Sequence, residues 1–466
     1  MKVLHLNTSA SVGGAAIAAR RLVQSLQRLG VDATLLCRDV APEAADAGVK
    51  ALPPSLLHRL RFVAERAEIY VRNGFTREGL FAIDLGRFGQ DVTKLPVFRE
   101  ADLIHLHWVN QAMLSLSDIR RILRSGKPVV WTMHDMWPFV GLCHHTADCE
   151  RWKNGCGKCP LLRKPSPGDL SAQTYHRKEK AYGLSHFHLV GCSKWLADLA
   201  AEAPLLKHAE ISSIPNPIDT DFYSPVENAE ELKAQLGIPA DKKVLLFTAF
   251  KVSDPKKGVD YLMEALTHLH EQHPDFTESL VLVLAGKGCE EVKDAFPVQT
   301  VPMGYVTEPE RMRDLYRCAD LLLMPSLMDN LPNTIVEAMA CGVPCVGFRV
   351  GGITQMIDMD INGYLADYCD SLDLAKGILD QLLDSHPEVK TNQHLINLFY
   401  QMGGNTFDGA AAQASRYGVN INALVANRSG AVARSNSGGG GGSSSSSGSS
   451  AASQSIGVGS RVRITR

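Results

Sequence analysis

Two carboxylates eight residues apart, Asp329 and Glu337, sit within Pro325-Ser326-Leu327-Met328-Asp329-Asn330-Leu331-Pro332-Asn333-Thr334-Ile335-Val336-Glu337-Ala338-Met339-Ala340-Cys341-Gly342-Val343-Pro344. Carboxylates accept strong hydrogen bonds, and sugar hydroxyls are neutral donors matched to them. The preceding run Leu321-Leu322-Leu323-Met324 suits a strand buried on both faces of a parallel sheet. A helix that stops at Gly342 should follow. Asp329 then lies in the turn and Glu337 one turn into the helix, facing one crevice. Helix N-termini at that edge of an α/β sheet offer unpaired N–H groups to phosphates. The segment Asn330, Leu331, Pro332, Asn333 and Thr334 would supply them here. The chemistry indicated is recognition of a nucleotide-linked sugar.

The elements that must position these groups read as alternating strands and helices, the mark of parallel-sheet domains. Strands are expected at Val3 to Asn7, Ala33 to Cys37, Leu103 to His107, Pro128 to Met133 and Phe187 to Cys192, with a helix over Ala15 to Leu29. A second series is expected at Val244 to Ala249, Leu280 to Ala285, Leu321 to Met324 and Pro344 to Phe348. The turn-rich stretch Ile214-Pro215-Asn216-Pro217-Ile218-Asp219 lies between them. The expected division is an N-terminal Rossmann-like domain over 1–213, a linker over 214–225, a second Rossmann-like domain over 226–400 and a tail over 401–466.

The acidic pair followed by Ala338-Met339-Ala340-Cys341-Gly342 resembles the signature of family-4 glycosyltransferases. These are retaining enzymes of the two-domain GT-B architecture, α/β throughout, with two Rossmann-like domains facing across a cleft. Their first acid is a glutamate, and Asp329 takes its place here. The resemblance implies that Glu337 binds the donor ribose, and that no cofactor is required for catalysis. It implies that Gly13-Gly14, after the first strand, lies near the donor phosphates or acceptor. Lys257-Gly258 matches the family's lysine–glycine pair on the diphosphate, and Lys251 takes the place of an arginine beside it. Fixed cations there would stabilise charge on the leaving group. His134, at the end of Val129-Val130-Trp131-Thr132-Met133, falls where the family places a histidine near the transferring sugar. His134, Lys257 and Asp329 are thus the expected catalytic residues, with donor phosphate taking the acceptor's proton. Gly304-Tyr305-Val306 and Gly286 are expected to line the cleft near the base.

Of 11 cysteines, Cys143, Cys149, Cys156 and Cys159 cluster in an insertion over 141–160. Structural zinc and four reduced thiols both fit this spacing. The insertion resembles a subgroup of these transferases from exopolysaccharide, colanic-acid-type pathways. Asp219-Thr220-Asp221 and Asp358-Met359-Asp360 are the Asp-x-Asp triplets of a metal-dependent alternative, but neither follows a strand as that chemistry requires.

The chain has 466 residues, 45% of them hydrophobic, and a formal net charge of −2, which gives no field to draw in nucleic acid. No run approaches the roughly 20 apolar residues of a membrane span, and the expected location is cytoplasmic. Leu56 to Arg72 has Leu57, Leu60, Val63, Ala64, Ala67 and Val71 at helical spacing. It is expected to pack on the core, the alternative being a basic amphipathic helix resting on anionic lipid near a lipid-linked acceptor. Residues 435–450 are nearly all Gly and Ser, a composition that buries no core and is expected to be disordered. The reading reached is transfer of a sugar from a nucleoside-diphosphate donor to a hydroxyl of a growing saccharide. A phosphorylase or nucleotide-sugar epimerase of the same architecture, or a catalytically vestigial binding protein, are the alternatives.

Overall fold

The computed structural model describes residues 1–383 apart from Ala47 and Asp360. The Gly/Ser-rich segment, the end of the expected second domain and the second acid of Asp358-Met359-Asp360 lie outside the described residues.

Apolar β-branched and leucine-rich runs form two all-parallel sheets. The first contains β1 (Lys2–Ser9), β2 (Asp32–Asp39), β3 (Val49–Ala51), β4 (Leu103–Leu106), β5 (Val129–Met133), β6 (His188–Gly191) and β7 (Glu210–Ser213), in the order β3-β2-β1-β4-β5-β6-β7. The second contains β8 (Lys243–Lys251), β9 (Leu280–Lys287), β10 (Gln299–Gly304), β11 (Leu321–Met324), β12 (Cys345–Phe348) and β13 (Gly363–Ala366), in the order β10-β9-β8-β11-β12-β13. Strand order reverses between β1 and β4 in one sheet and between β8 and β11 in the other. Crevices form at such switch points, because successive crossovers leave in opposite directions there. Central strands are buried on both faces: every residue of β4, β5, β11 and β12 is inside. That explains why they are apolar throughout except at His105 of β4 and Thr132 of β5.

Helix α1 (Gly14–Arg28) starts directly after the Gly13 turn and packs Ala16, Ala19, Leu22, Val23 and Leu26 inward. Helix α2 (Leu56–Arg72) reverses the core-packing expectation. Its buried residues are Glu65, Arg66 and Ile69, whereas Leu56, Leu60 and Val63 are 86%, 61% and 53% exposed. The inward register is set by Arg66, whose guanidinium donates to Asp84 at 3.2 Å and to the Leu80 carbonyl at 2.7 Å. A buried guanidinium needs such partners, so satisfying it turns the leucine stripe to the outside. Among the described residues no helix is long and apolar enough to cross a membrane.

Candidate functional site

The two switch points open onto one cleft of about 540 Å³, within the range of small-molecule sites. From the first sheet it receives Gly13 and Gly14 after β1, Trp108 after β4, and His134 and Asp135 after β5. From the second it receives Phe250 of β8, Lys257, Gly286, Tyr305 and the turn-and-helix segment Asp329 to Glu337.

Lys257 Nζ donates to Asp329 Oδ2 at 2.7 Å. The Asp329 carboxylate raises the lysine pKa against the opposing effect of burial, so the ammonium stays charged. The local backbone explains the pairing. Gly258, at φ +71°, ends the short turn Pro255–Lys257 and begins the helix Val259–Gln272. The Leu327 amide donates to the Lys256 carbonyl at 2.8 Å. The lysine loop and the acidic loop are therefore hydrogen-bonded to each other.

The helix of the acidic segment runs over Asn333–Ala340, with Pro332 as its N-cap. This corrects the expectation of a row of free amides from Asn330 to Thr334. Pro332 has no N–H, and the Asn330 amide donates to Asp329 Oδ1 at 3.1 Å. The Asn330 side chain is also committed: its Oδ1 accepts from Ser193 Oγ at 2.5 Å, and its Nδ2 donates to the His134 carbonyl at 3.2 Å. Asn333 Nδ2 donates to the Gly14 carbonyl at 3.2 Å. Asn330 and Asn333 thus tie the two halves together across the cleft. Thr334 retains a buried hydroxyl with no partner, and Thr334 lines the cleft beside Leu331.

Glu337 is buried and lines the cleft, but both its oxygens are occupied. Arg21 of α1 donates to Oε1 at 2.6 Å, and Tyr316 Oη donates to Oε2 at 2.8 Å. Arg21 also donates to Tyr223 Oη at 2.9 Å and lies over that ring. Burial works against the guanidinium's charge, yet Glu337 holds its pKa above the ordinary value. Sequence reasoning missed Arg21, Tyr223 and Tyr316. Nothing in their local spacing signals a partner 316 positions away, as Glu337 is from Arg21.

Two expected donor residues stand apart from the cleft. Lys251 is exposed at the end of β8, beyond a register shift between Thr248 and Lys251, and does not line the cleft. Gly304 follows a shift in β10 and has φ +69°, and the wall is built by its neighbours Tyr305 and Val306 instead. His134 faces the cleft, its pKa pushed down to about 4 by burial against the pull of Asp135. Asp135 accepts from Trp108 Nε1 at 2.7 Å and bonds His144 Nδ1 at 2.7 Å.

Cys143, Cys149, Cys156 and Cys159 line a separate small cavity next to Trp152. All are free thiols, and no three of their sulfurs lie within 4.8 Å of one another. The one cluster of that tightness among the described residues is His5, His105 and His107, beneath His134.

Residues 12–222 match the model for "Glycosyltransferase Family 4", and residues 242–384 match that for "Glycosyl transferases group 1". The D-inositol 3-phosphate glycosyltransferase of Saccharomonospora viridis is 31% identical over 65% of this chain and 67% of its own length. The putative colanic acid biosynthesis glycosyl transferase WcaC of Escherichia coli K12 is 24% identical over 74% of this chain and 82% of its own. Among solved structures, Anabaena HepE in complex with UDP-glucose superposes with a TM-score of 0.58 at 16% identity, covering 90% of this chain and 99% of HepE. The two-sheet architecture is therefore that of the GT-B fold.

Proposed function

Because the chain belongs to glycosyltransferase family 4, we propose that it transfers a sugar, with retention of configuration, from a nucleoside-diphosphate donor to a hydroxyl of a saccharide. The observation that carries this is the convergence of Asp329, Lys257 and Glu337 on one cleft wall, facing His134 and the Gly13-Gly14 turn. In this reading Lys257 meets the diphosphate, Asp329 the sugar hydroxyls and Glu337 the ribose. The base rests near Tyr305 and Phe250, whose rings meet edge to face at 5.3 Å. The buried Thr334 hydroxyl is suited to a phosphate oxygen. Ribose must displace Arg21 to reach Glu337. The solved complex of HepE with UDP-glucose supports a uridine-linked donor.

The test is saturation-transfer NMR of the full chain against UDP- and GDP-sugars, repeated with Glu337→Ala, with slow donor hydrolysis followed by anomeric signals. Expected are binding that Glu337→Ala abolishes and release of the sugar in its original anomeric form. Inverted sugar would overturn retention. A folded chain that binds no donor would point to a vestigial protein.

For the acceptor we propose a lipid-linked saccharide of cell-surface or exopolysaccharide synthesis, met at a membrane surface. Support comes from the resemblance to WcaC and from α2, whose outward Leu56, Leu57, Leu60, Val63 and Val71 are interspersed with Arg59 and Arg61. Apolar residues flanked by arginines suit an anionic bilayer surface. The protein should float with anionic vesicles, less so in high salt, and Leu57→Glu/Leu60→Glu should weaken binding more than tenfold, since burying each leucine is worth about 1.5–3 kcal/mol. Equal flotation of the variant would remove α2 from the contact.

For the insertion we propose structural zinc. The stretch Gly155, Cys156, Gly157 and Lys158 has positive φ at every residue, curling the backbone around the thiols. Burial pushes the Lys178 amine down to about 7, against the pull of Cys143 and Cys156 beside it, and thiolates on a metal would favour its charged form. Metal binding must draw the sulfurs inward around their cavity. Metal analysis should find about one zinc per chain, consistent with four thiolates around one ion, and loss of it in Cys156→Ser. A metal-free chain with four titratable thiols there would exclude the site.

A further inference from the structure

His5 of β1 and His105 of β4 are register partners in adjacent parallel strands, so their side chains share a face. His107 lies two residues beyond His105, and His134 two beyond Thr132 of β5, on that same face. The alternation carries a column of histidines from the sheet interior to the cleft. His5 Nδ1 stands 3.1 Å from His107 Nε2, and His107 Nδ1 stands 3.1 Å from His134 Nε2. Both pairs have ring centroids 5.4 Å apart, with planes inclined by 22° and 26°. Such wide centroids with such short N···N contacts mean nearly coplanar rings joined edge to edge. His105, by contrast, lies face-on over His107, at 4.3 Å and 19°. It is fixed in turn by its Nε2 contact to Thr132 Oγ1 at 2.8 Å.

We propose that His107 and His5 are positioning residues for His134, forming a buried imidazole chain that keeps the His134 proton on Nδ1, directed at the cleft. The inference rests on the cleft-facing role given to His134 above. Each ring is neutral, because burial pushes His5 down to about 3, His107 well below its ordinary value and His134 to about 4. A neutral imidazole has one donor and one acceptor nitrogen, so the bond at one fixes the other. Only two arrangements satisfy both links. Either every proton sits on Nδ1, pointing along the chain to the cleft, or every proton sits on Nε2, pointing inward. His5 Nε2 is buried without a partner. In the inward arrangement it would be an orphaned N–H, which proteins avoid more strictly than an unpaired acceptor. The cleftward arrangement leaves only a lone pair there. His134 then offers a fixed neutral N–H to a sugar or phosphate oxygen, and it has no lone pair on that side to act as a base.

The test uses ¹⁵N-histidine NMR of the full chain, with the His134 signals assigned by their loss in His134→Asn. Wild type should show the proton on His134 Nδ1. An asparagine amide reaches the place of imidazole Nδ1, and a glutamine amide that of Nε2. His107→Asn should therefore preserve the His134 tautomer and kcat. His107→Gln should leave His134 Nε2 without the N–H that fixes its tautomer, so that both His134 tautomers are seen, and lower kcat about tenfold, the scale of one lost hydrogen bond, with donor KM little changed. A wild-type proton on Nε2, or equal behaviour of the two variants, would overturn the proposal. So would zinc retained by Cys156→Ser and lost with His5→Phe, since the trio would then be a metal site. If no transfer is observed, the tautomer still decides this inference, and the failure falls on the proposed activity.

Discussion

Lys257→Ala will lower kcat about 10²–10³-fold, the usual loss when one preorganised partner of a developing negative charge is removed. The lysine is paired with Asp329 at 2.7 Å, so alanine has two effects. It deletes the cation facing the leaving diphosphate, and it leaves a carboxylate unneutralised beside that diphosphate. Lys257→Ala/Asp329→Asn should therefore recover part of the loss, because the second change removes the repulsion while its amide oxygen still accepts from the sugar hydroxyls, and the missing attraction is not restored. Lys257→Arg should retain more activity than either. The linkage sign is also fixed. Asp329 raises the lysine above its ordinary 10.5, so the pair's contribution is complete below that value and fades only as pH climbs through the raised one. Steady-state kinetics of the four proteins at neutral pH thus read the charge effect without titration of the lysine. Equal kcat for wild type and Lys257→Ala would remove the residue from the chemistry.

Gly258→Ala will destabilise the fold by about 3 kcal/mol or more, combining left-handed backbone strain with overpacking. The residue has φ +71°, and an added Cβ would stand 1.8 Å from the Pro325 carbonyl oxygen. Pro325 opens the turn that carries Asp329, so relief of the clash must part the two loops that bring lysine and aspartate together. Activity should fall further than stability alone predicts. Gly14→Ala is the control: its Cβ would meet only Asn333 Nδ2, at 3.6 Å, and its stability should stay near wild type. Urea unfolding midpoints of both variants decide the matter, and a Gly258→Ala chain as stable as Gly14→Ala would contradict the packing described.

The central strands were legible because burial on both faces leaves mostly apolar residues, as in Leu321–Met324. The edges were not. β7 (Glu210–Ser213) is exposed at both ends, and β3 (Val49–Ala51) is three residues long with exposed Lys50 and Ala51. Neither has an apolar run to announce it, and pairing with a neighbour alone makes each a strand. In the site, Asp329 and Glu337 were legible because turn and helix place them locally. Lys251 was misplaced because one extra residue of β8 intervenes between Thr248 and Lys251, an irregularity that spacing alone does not reveal. Arg21 and the histidine chain depend on contacts between strands and halves far apart in sequence. Helix α2 had the right periodicity, but which face turned inward was decided by Arg66 and Asp84, not by hydrophobicity.

The guanidinium on Glu337 makes the cleft self-liganded, and binding there becomes a substitution rather than a filling. In the proposed reading, a ribose hydroxyl gains its bond to the carboxylate only by evicting Arg21 from a buried one. A 2′-deoxyribose donor can lose the bond and still bear the eviction, so sugar-ring discrimination should exceed the strength of the single hydrogen bond involved. Selectivity for ribonucleotides would then reside as much in the arginine of the opposite domain as in the acid that touches the ligand.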